Sequence, residues 1–498
     1  MRRRDFVIGS LAAPLAAGCV SSGRAGDLSV LQTGLQGELL LPEAPAFEDA
    51  RKLYQTRFDH IRPQAVARVR TAQDVKACVD FARRSSMPIH VRSGGHHYAG
   101  WSTGPGLQVD VSLMNQVSLD PATNIATIGA GTQLIDVYDR LAASGRALPG
   151  GSCPTVGIAG LVLGGGISML GRAYGMTCDN LLSAEIVTAS GEIITCDATR
   201  HSDLFWACRG GGGGNFGIAT SFRFRTHPLK RITTMRLDWD WAAAAPQVMQ
   251  AWQAWAPKAP DELWANCRFG GGPNGPQQVS TTIVFLGSEA ELEPLLPGLL
   301  APIGTAPRRT VETQDGLHAM LALAGCQKVT VPECHLRLSS AQGTLGRGTY
   351  KAKSQFFDRP LSNNAIATML NHIERTSTIA GISGGSILLD AFGGAVSRVS
   401  PDATAFVHRN AIFSCQYLVN WRGDAGAGAE ERATAWMRDF HAGMQPHASG
   451  GAFINYVDPE LKGWERAYYG ANYDRLVRVK AAYDSGGLFR MPQGIPAT

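Results

Sequence analysis

Three glycine-rich stretches constrain this chain more than any other feature. The first reads Val91-Arg92-Ser93-Gly94-Gly95-His96-His97-Tyr98-Ala99-Gly100 and follows a candidate buried strand at 88–92. The second, 150–166, carries Gly150, Gly151, Gly157, Gly160, Gly164, Gly165 and Gly166 and is too glycine-rich to be helical throughout. The third is 209–214, followed by Asn215-Phe216-Gly217-Ile218. Adjacent glycines let successive backbone N–H groups point into one concavity, which suits an anionic pyrophosphate. One such run is commonly just a loop. Three in one domain mean that backbone lies close to something large, and they point to a large cofactor. Glycine is 58 of 498 residues, about 12% against a usual figure of about 7%. The excess falls in these loops rather than in a repeat.

The remaining composition narrows the class. At 498 residues the chain suggests two or three domains with a large interior. Hydrophobic residues are 44% and charged residues 17%, below the roughly 25% charged fraction of soluble proteins, which excludes a mainly disordered chain. The net charge is +5, of which Arg2, Arg3, Arg4 and Asp5 contribute +2, leaving +3. That argues against a nucleic-acid binder driven by phosphate neutralisation. None of the ten cysteines forms a CxxC or a Cys/His zinc spacing. His90, His96 and His97 lack a well-spaced carboxylate or thiolate, so no metal site is expected. Cys326 and Cys334 could close a short loop around Val331-Pro332.

The N-terminus reads as an address. Adjacent arginines precede an apolar run, 6–18, that is too short to span roughly 30 Å of hydrocarbon. Residues 1–26 resemble a twin-arginine export signal, which implies the Tat export machinery and a periplasmic or secreted protein with no transmembrane span. Leu15-Ala16-Ala17-Gly18-Cys19 also resembles a lipoprotein cleavage site, although Ala16 stands where a larger aliphatic residue is usual.

Along the mature chain, Thr71 is positioned to cap a helix with Val75, Cys78, Val79, Phe81 and Ala82 on one face. Strands are expected at 107–111, 125–128 and 182–188 and a helix at 132–143. From Thr233 the composition shifts to Trp-rich helical stretches and candidate strands at 279–285, 386–392 and 411–421, a second domain built on a sheet. An aromatic tail follows, with a helix expected at 473–483. No glycine loop shows G-x-G-x-x-G between a strand and a helix with an acidic residue about 20 positions later, so a nicotinamide-binding Rossmann site is disfavoured.

The ordered combination of Arg92-Ser93-Gly94-Gly95-His96-His97-Tyr98, Cys153-Pro154-Thr155-Val156-Gly157, Gly164-Gly165-Gly166, Arg172-Ala173-Tyr174-Gly175 and Asp179-Asn180 closely resembles the berberine bridge enzyme-like flavoproteins. These belong to the vanillyl-alcohol oxidase and p-cresol methylhydroxylase (PCMH) superfamily. The likeness continues through Asp203-Leu204-Phe205-Trp206 and 210–217 and returns at Asn455-Tyr456, Trp464, Tyr468-Tyr469-Gly470, Asn472 and Lys480. It implies an α+β fold. An FAD-binding domain of two subdomains at 50–230 would be joined to an α+β substrate domain with an antiparallel sheet at 231–450. A C-terminal segment at 451–498 would return to the FAD domain.

The resemblance implies FAD bonded twice, through His96 and Cys153. Taken alone, His96 suits a loop imidazole and Cys153 a buried inert thiol. Further cofactor contacts are implied at Arg92, Ser93, Gly94, Gly95, His97, Val156, Gly157, Gly160, Gly165, Gly166, Tyr174, Gly175, Asp179, Asn180, Gly217, Ile218, Asn455 and Asn472. The implied reaction is hydride transfer from a substrate carbon to flavin, with Tyr456 or Asp390 as base. A free phenol has a pKa of about 10, so Tyr456 would need a positive neighbour or hydrogen-bond donors. Arg398 stands where some relatives carry a glutamate base. Compact Val156 favours dioxygen as acceptor. Sugars are the leading small-molecule substrates, with Trp252, Trp255, Trp264 and Trp421 as stacking faces or core. Alcohols, polycyclic natural products and flavin binding without turnover are the alternatives.

Overall fold

The computed structural model describes residues 28–497 apart from 423, 424 and 427. The export signal expected at 1–26 and Cys19 lie outside the described residues.

Thr71 caps the helix Ala72–Ser85 by accepting a hydrogen bond from the Asp74 N–H at 3.1 Å. Its apolar residues Val75, Cys78, Val79, Phe81 and Ala82 are buried on one face, which follows from helical spacing. That face sits between two sheets, against Leu107–Asp110 of one and Leu181–Val187 of the other. The first sheet has the order Glu38–Leu40, Ala65–Arg68, Leu107–Asp110, Ile89–Arg92, with an antiparallel first pair and parallel inner pairs. It includes Glu38–Leu40, so this unit begins before the expected boundary at residue 50. The second sheet is antiparallel and five-stranded: Val117–Asp120, Ile125–Gly129, Ile218–Arg225, Leu181–Val187, Ile193–Asp197.

The third sheet is antiparallel and seven-stranded, in the order Arg308–Gln314, Ile232–Trp239, Gly275–Phe285, Leu263–Gly272, Ile382–Ala391, Phe413–Trp421, Tyr350–Phe357. Its strands alternate between two environments, as the two-residue period of a strand requires. Ala265, Cys267, Leu389, Cys415, Tyr417 and Val419 share the core of the back face with the helices Trp241–Trp255, Asn363–Glu374 and Ala429–Met444. Trp264, Asn266, Leu388, Asp390, Gln416, Leu418 and Asn420 face the other way, toward the glycine stretches. Fully burying one large apolar side chain on the back face contributes roughly 1.5–3 kcal/mol, so the apolar half of each strand fixes the outlook of the polar half.

The tail rejoins the first core through Phe453, Tyr468, Tyr469, Leu476, Val479 and Phe489. Lys480, in the helix Tyr473–Tyr483, is buried with its ammonium donating to Asn215 O, Asp484 Oδ2 and Phe489 O at 2.6, 2.6 and 2.7 Å. Those three acceptors satisfy its three N–H groups. A disulfide joins Cys326 and Cys334. No helix among the described residues is long and apolar enough to cross a membrane.

Candidate active site

The three glycine stretches, the front face of the seven-stranded sheet and the tail enclose a cavity of about 640 Å³. One wall carries Ser93, Gly94, Gly95, His96, His97, Cys153, Val156, Gly157, Gly160, Gly217 and Ile218, with Asn455 from the tail. Across from it stand Asn266, Thr282, Asp390, Gln416 and Asn420, with Tyr350 and Tyr456.

The glycines are needed because two loops touch backbone to backbone. A Cβ on Gly94 would lie 2.2 Å from Gly157 N, and one on Gly157 would lie 2.3 Å from Gly94 N. Gly160, by contrast, looks onto open space, with nothing within 4 Å of a Cβ built there. Among the described residues no acceptor engages the N–H groups of Gly94, Gly95, His96 or His97. Four consecutive free donors beside a cavity form a nest for an anion. Together with a thiol and an imidazole on the same wall, they fit a dinucleotide flavin.

His96 stacks on Tyr54 with ring centroids 4.1 Å apart, and its Nε2 is 2.8 Å from Thr155 Oγ1. Burial lowers its pKa to about 3, so the ring is neutral. With Nε2 engaged by Thr155, Nδ1 is left as the second ring nitrogen. Thr155 lies two residues beyond Cys153, a chain span of at most about 7 Å, so this contact ties imidazole and thiol to one stretch of wall. Cys153 is exposed to the cavity, whereas the other free cysteines among the described residues are buried. The surrounding protein nonetheless pushes its thiol pKa up. His97 Nδ1 accepts from the N–H groups of Ala99 and Trp101 at 3.2 and 3.4 Å, which fixes the turn and places the ring proton on Nε2.

Asp390 is 5% exposed, and burial raises its pKa to about 7. Its neighbours in register are Asn266 and Ser414. Tyr456 stacks on Tyr98 at 5.3 Å, and Tyr98 Oη accepts from Gln416 Nε2 at 2.6 Å. The Tyr456 phenol is pushed well above its ordinary value, first by burial and then by Asp390, Cys153 and Tyr350. The surroundings therefore oppose the phenolate that a tyrosine base requires.

Eight residues expected at the cofactor do not line the cavity; they hold its walls. Arg92 donates to Lys52 O and pairs with Asp110 below the first loop. Gly165 and Gly166 are closed in by Phe406 and Thr177, and Gly175 by Asp179. Tyr174 stacks on His227 at 4.0 Å. Asp179 is bound by Arg409, and Asn180 donates to Tyr174 O and Met176 O. Asn472 donates to Pro401 O and Thr404 O. Arg398 pairs with Asp261 at an exposed position at 2.6 Å. Of the four tryptophans considered for stacking, Trp264 lines the cavity, while Trp252, Trp255 and Trp421 pack in the core behind the sheet.

Sequence reasoning did not single out Tyr54, Thr155, Asn266, Tyr350, Gln416 or Asn420. Amides at even spacing from their strand neighbours, Asn266 two places from Trp264 and Gln416 four places from Asn420, were the available signal. Among the described residues no group of three or more His, Cys, Asp or Glu is placed to hold a metal ion.

Comparison with known proteins identifies this architecture. Residues 63–197 match the family model "FAD binding domain" and residues 452–496 the model "Berberine and berberine like". The chain is 32% identical over 470 residues to the Bacillus subtilis (strain 168) protein "Uncharacterized FAD-linked oxidoreductase YgaK", covering 93% of this chain and 98% of that one. The solved structure of Physcomitrella patens BBE-like 1 superposes with a TM-score of 0.86 at 29% identity, covering 95% of this chain and 99% of that one. A chitooligosaccharide oxidase structure gives 0.84 at 27% identity, covering 94% and 99%. The chain thus belongs to the berberine bridge enzyme-like flavoproteins, as a PCMH-type α+β protein and an FAD-linked oxidoreductase.

Proposed function

We propose that the enzyme is an oxidase acting on a hydroxyl-bearing carbon of a mono- or oligosaccharide. FAD is held covalently at His96 and Cys153, and dioxygen takes the electrons to give hydrogen peroxide. The observation that carries this reading is the amide-rich wall of Asn266, Gln416 and Asn420 around Asp390, opposite the imidazole and thiol. Carboxamides donate and accept, as does a sugar hydroxyl, so such a wall can orient a polyol. The likeness to a chitooligosaccharide oxidase supports the same substrate class.

Bound FAD supplies the acceptor for the hydride. The protein's part is orientation and proton handling. Asp390, ionised above a pKa of about 7, accepts the substrate hydroxyl proton. Tyr456 stays protonated and presents a hydroxyl donor beside it. Thr155 engages Nε2 of His96 and so directs Nδ1 to the cofactor. Val156, a compact side chain in the wall, leaves room for dioxygen.

Leu388, Leu418 and Trp264 on the same face favour a second reading, oxidation of an aromatic or polycyclic alcohol. Hydrogen peroxide release measured on sugars, simple alcohols and polycyclic alcohols separates the two. Turnover confined to the alcohols would overturn the sugar assignment. Acid-precipitated protein should stay yellow, with flavin on peptides containing His96 and Cys153.

We also propose export through the twin-arginine route, on the strength of residues 1–18. The Cys326–Cys334 disulfide suits an oxidising compartment.

A further inference from the structure

The helix Leu134–Ala142 is bonded to the Cys153 loop at three carbonyls. The Leu134 N–H donates to Val156 O and the Ile135 N–H to Pro154 O, both at 3.0 Å. One turn on, Tyr138 Oη donates to Gly151 O at 2.7 Å. The opposite side of the helix is held by a lobe of the substrate region. Ile135 is fully buried in a small core with Leu321, Cys326 and Cys334, and the lobe's own fold is closed by the Cys326–Cys334 bond.

His335, the residue after that disulfide, meets the same helix. Its Nε2 is 3.1 Å from Asp136 Oδ2, and its Nδ1 is 3.0 Å from Val331 O and 3.2 Å from Pro332 O. Carboxylate and carbonyl oxygens can only accept here, so both ring nitrogens donate and the ring is an imidazolium. Asp136 on the helix is the charged group facing it, and the two carbonyls belong to the lobe itself. Asp136 is also the main influence raising the His335 pKa.

We propose that the disulfide-closed lobe, docked through His335 and Asp136, is a clamp that acts through the helix Leu134–Ala142 to position the Cys153 loop at the cavity wall. His335 and Asp136 are positioning residues, not catalytic ones. The clamp's functional meaning rests on the reading of Cys153 as a flavin ligand, but its mechanics do not. Because the His335 pKa is raised in the folded protein, the contact is fully formed below the ordinary histidine range and is lost as pH rises through the folded value.

Hydrogen exchange on the full chain tests this without a variant. Corrected for intrinsic rates, the peptide covering 150–158 should exchange at least tenfold faster above the His335 titration than below it, while Leu181–Val187 stays constant. His335→Gln and Asp136→Asn should show the fast rate at every pH, and His335→Lys should restore slow exchange. In flavin-free chain, iodoacetamide labelling mapped to Cys153 should be several-fold faster in His335→Gln at low pH, the ratio to wild type falling toward one at high pH. Unchanged exchange at 150–158 in both the pH series and the variants would overturn the clamp. Absence of flavin on the Cys153 peptide would instead remove the covalent reading and leave the exchange result standing.

Discussion

At the residue scale, a carboxyl group that titrates near neutrality turns pH directly into the fraction of enzyme carrying a base. Asp390 has its pKa raised to about 7 by burial, so kcat/KM should climb through that pH and level off above it. Asp390→Asn should slow reduction of the flavin by about 10²–10⁴-fold, the usual worth of a positioned base. The variant should not be less stable at pH 8. An acid whose folded pKa is raised contributes stability that is complete below about 3.9 and lost as pH rises through the folded value. At pH 8 the wild type therefore carries a buried charge that Asn lacks. Tyr456→Phe keeps the ring on Tyr98 and removes one neutral donor, worth about 1 kcal/mol, so its effect should be near fivefold to tenfold. Stopped-flow reduction of both variants decides the matter. A larger loss in Tyr456→Phe than in Asp390→Asn would move the base to the tyrosine.

At the element scale, the loop contact between Gly94 and Gly157 has no space for a side chain. Gly157→Ala would put a Cβ 2.1 Å from Ser93 Oγ and 2.3 Å from Gly94 N. Backbone would have to shift, at about 3 kcal/mol, and the donor nest would open. The expected outcome is a lower melting temperature together with loss of bound flavin from the purified protein; retained flavin at wild-type stoichiometry would show that the nest tolerates the shift. This pair was legible in sequence only as two glycine runs, since local pattern shows a need for close approach and not its partner. The helix after Thr71 and the strands near 182–188, 279–285 and 413–421 were legible because cap chemistry and periodicity are local. Glu38–Leu40 was missed: a three-residue strand carries too little pattern to register, and its pairing with Ala65–Arg68 is long-range. Asn266, Gln416 and Asn420 were missed because the polar half of a strand points at a cavity or at solvent with the same alternation. Only the second element facing it tells the two apart.

At the scale of the whole molecule, the cavity has two walls from distant parts of the chain, so its shape depends on what locks those parts together. Arg172 reaches from the glycine-loop side to the carbonyls of Pro257, Ala259 and Phe392, and its own carbonyl accepts from the Ala395 N–H at 2.7 Å. A second lock is Arg409, fully buried, which grips Asp179 with Nη1–Oδ2 at 2.8 Å and Nη2–Oδ1 at 2.7 Å. The Asp179-Asn180 motif was readable as a feature of the flavin side. Its partner lies 230 residues away, beyond the reach of any local reading, and that partner makes Asp179 a fastening between distant parts of the chain. Removing one member of a buried pair strands the other charge, which costs about 3–5 kcal/mol. Asp179→Asn should therefore lower the unfolding midpoint strongly. The double variant Asp179→Asn, Arg409→Met should recover part of that loss, because no charge is left unpaired. The comparison is made by denaturant titration of wild type, both single variants and the double variant. Strict additivity of the two single losses would show that the pair does not hold the walls together.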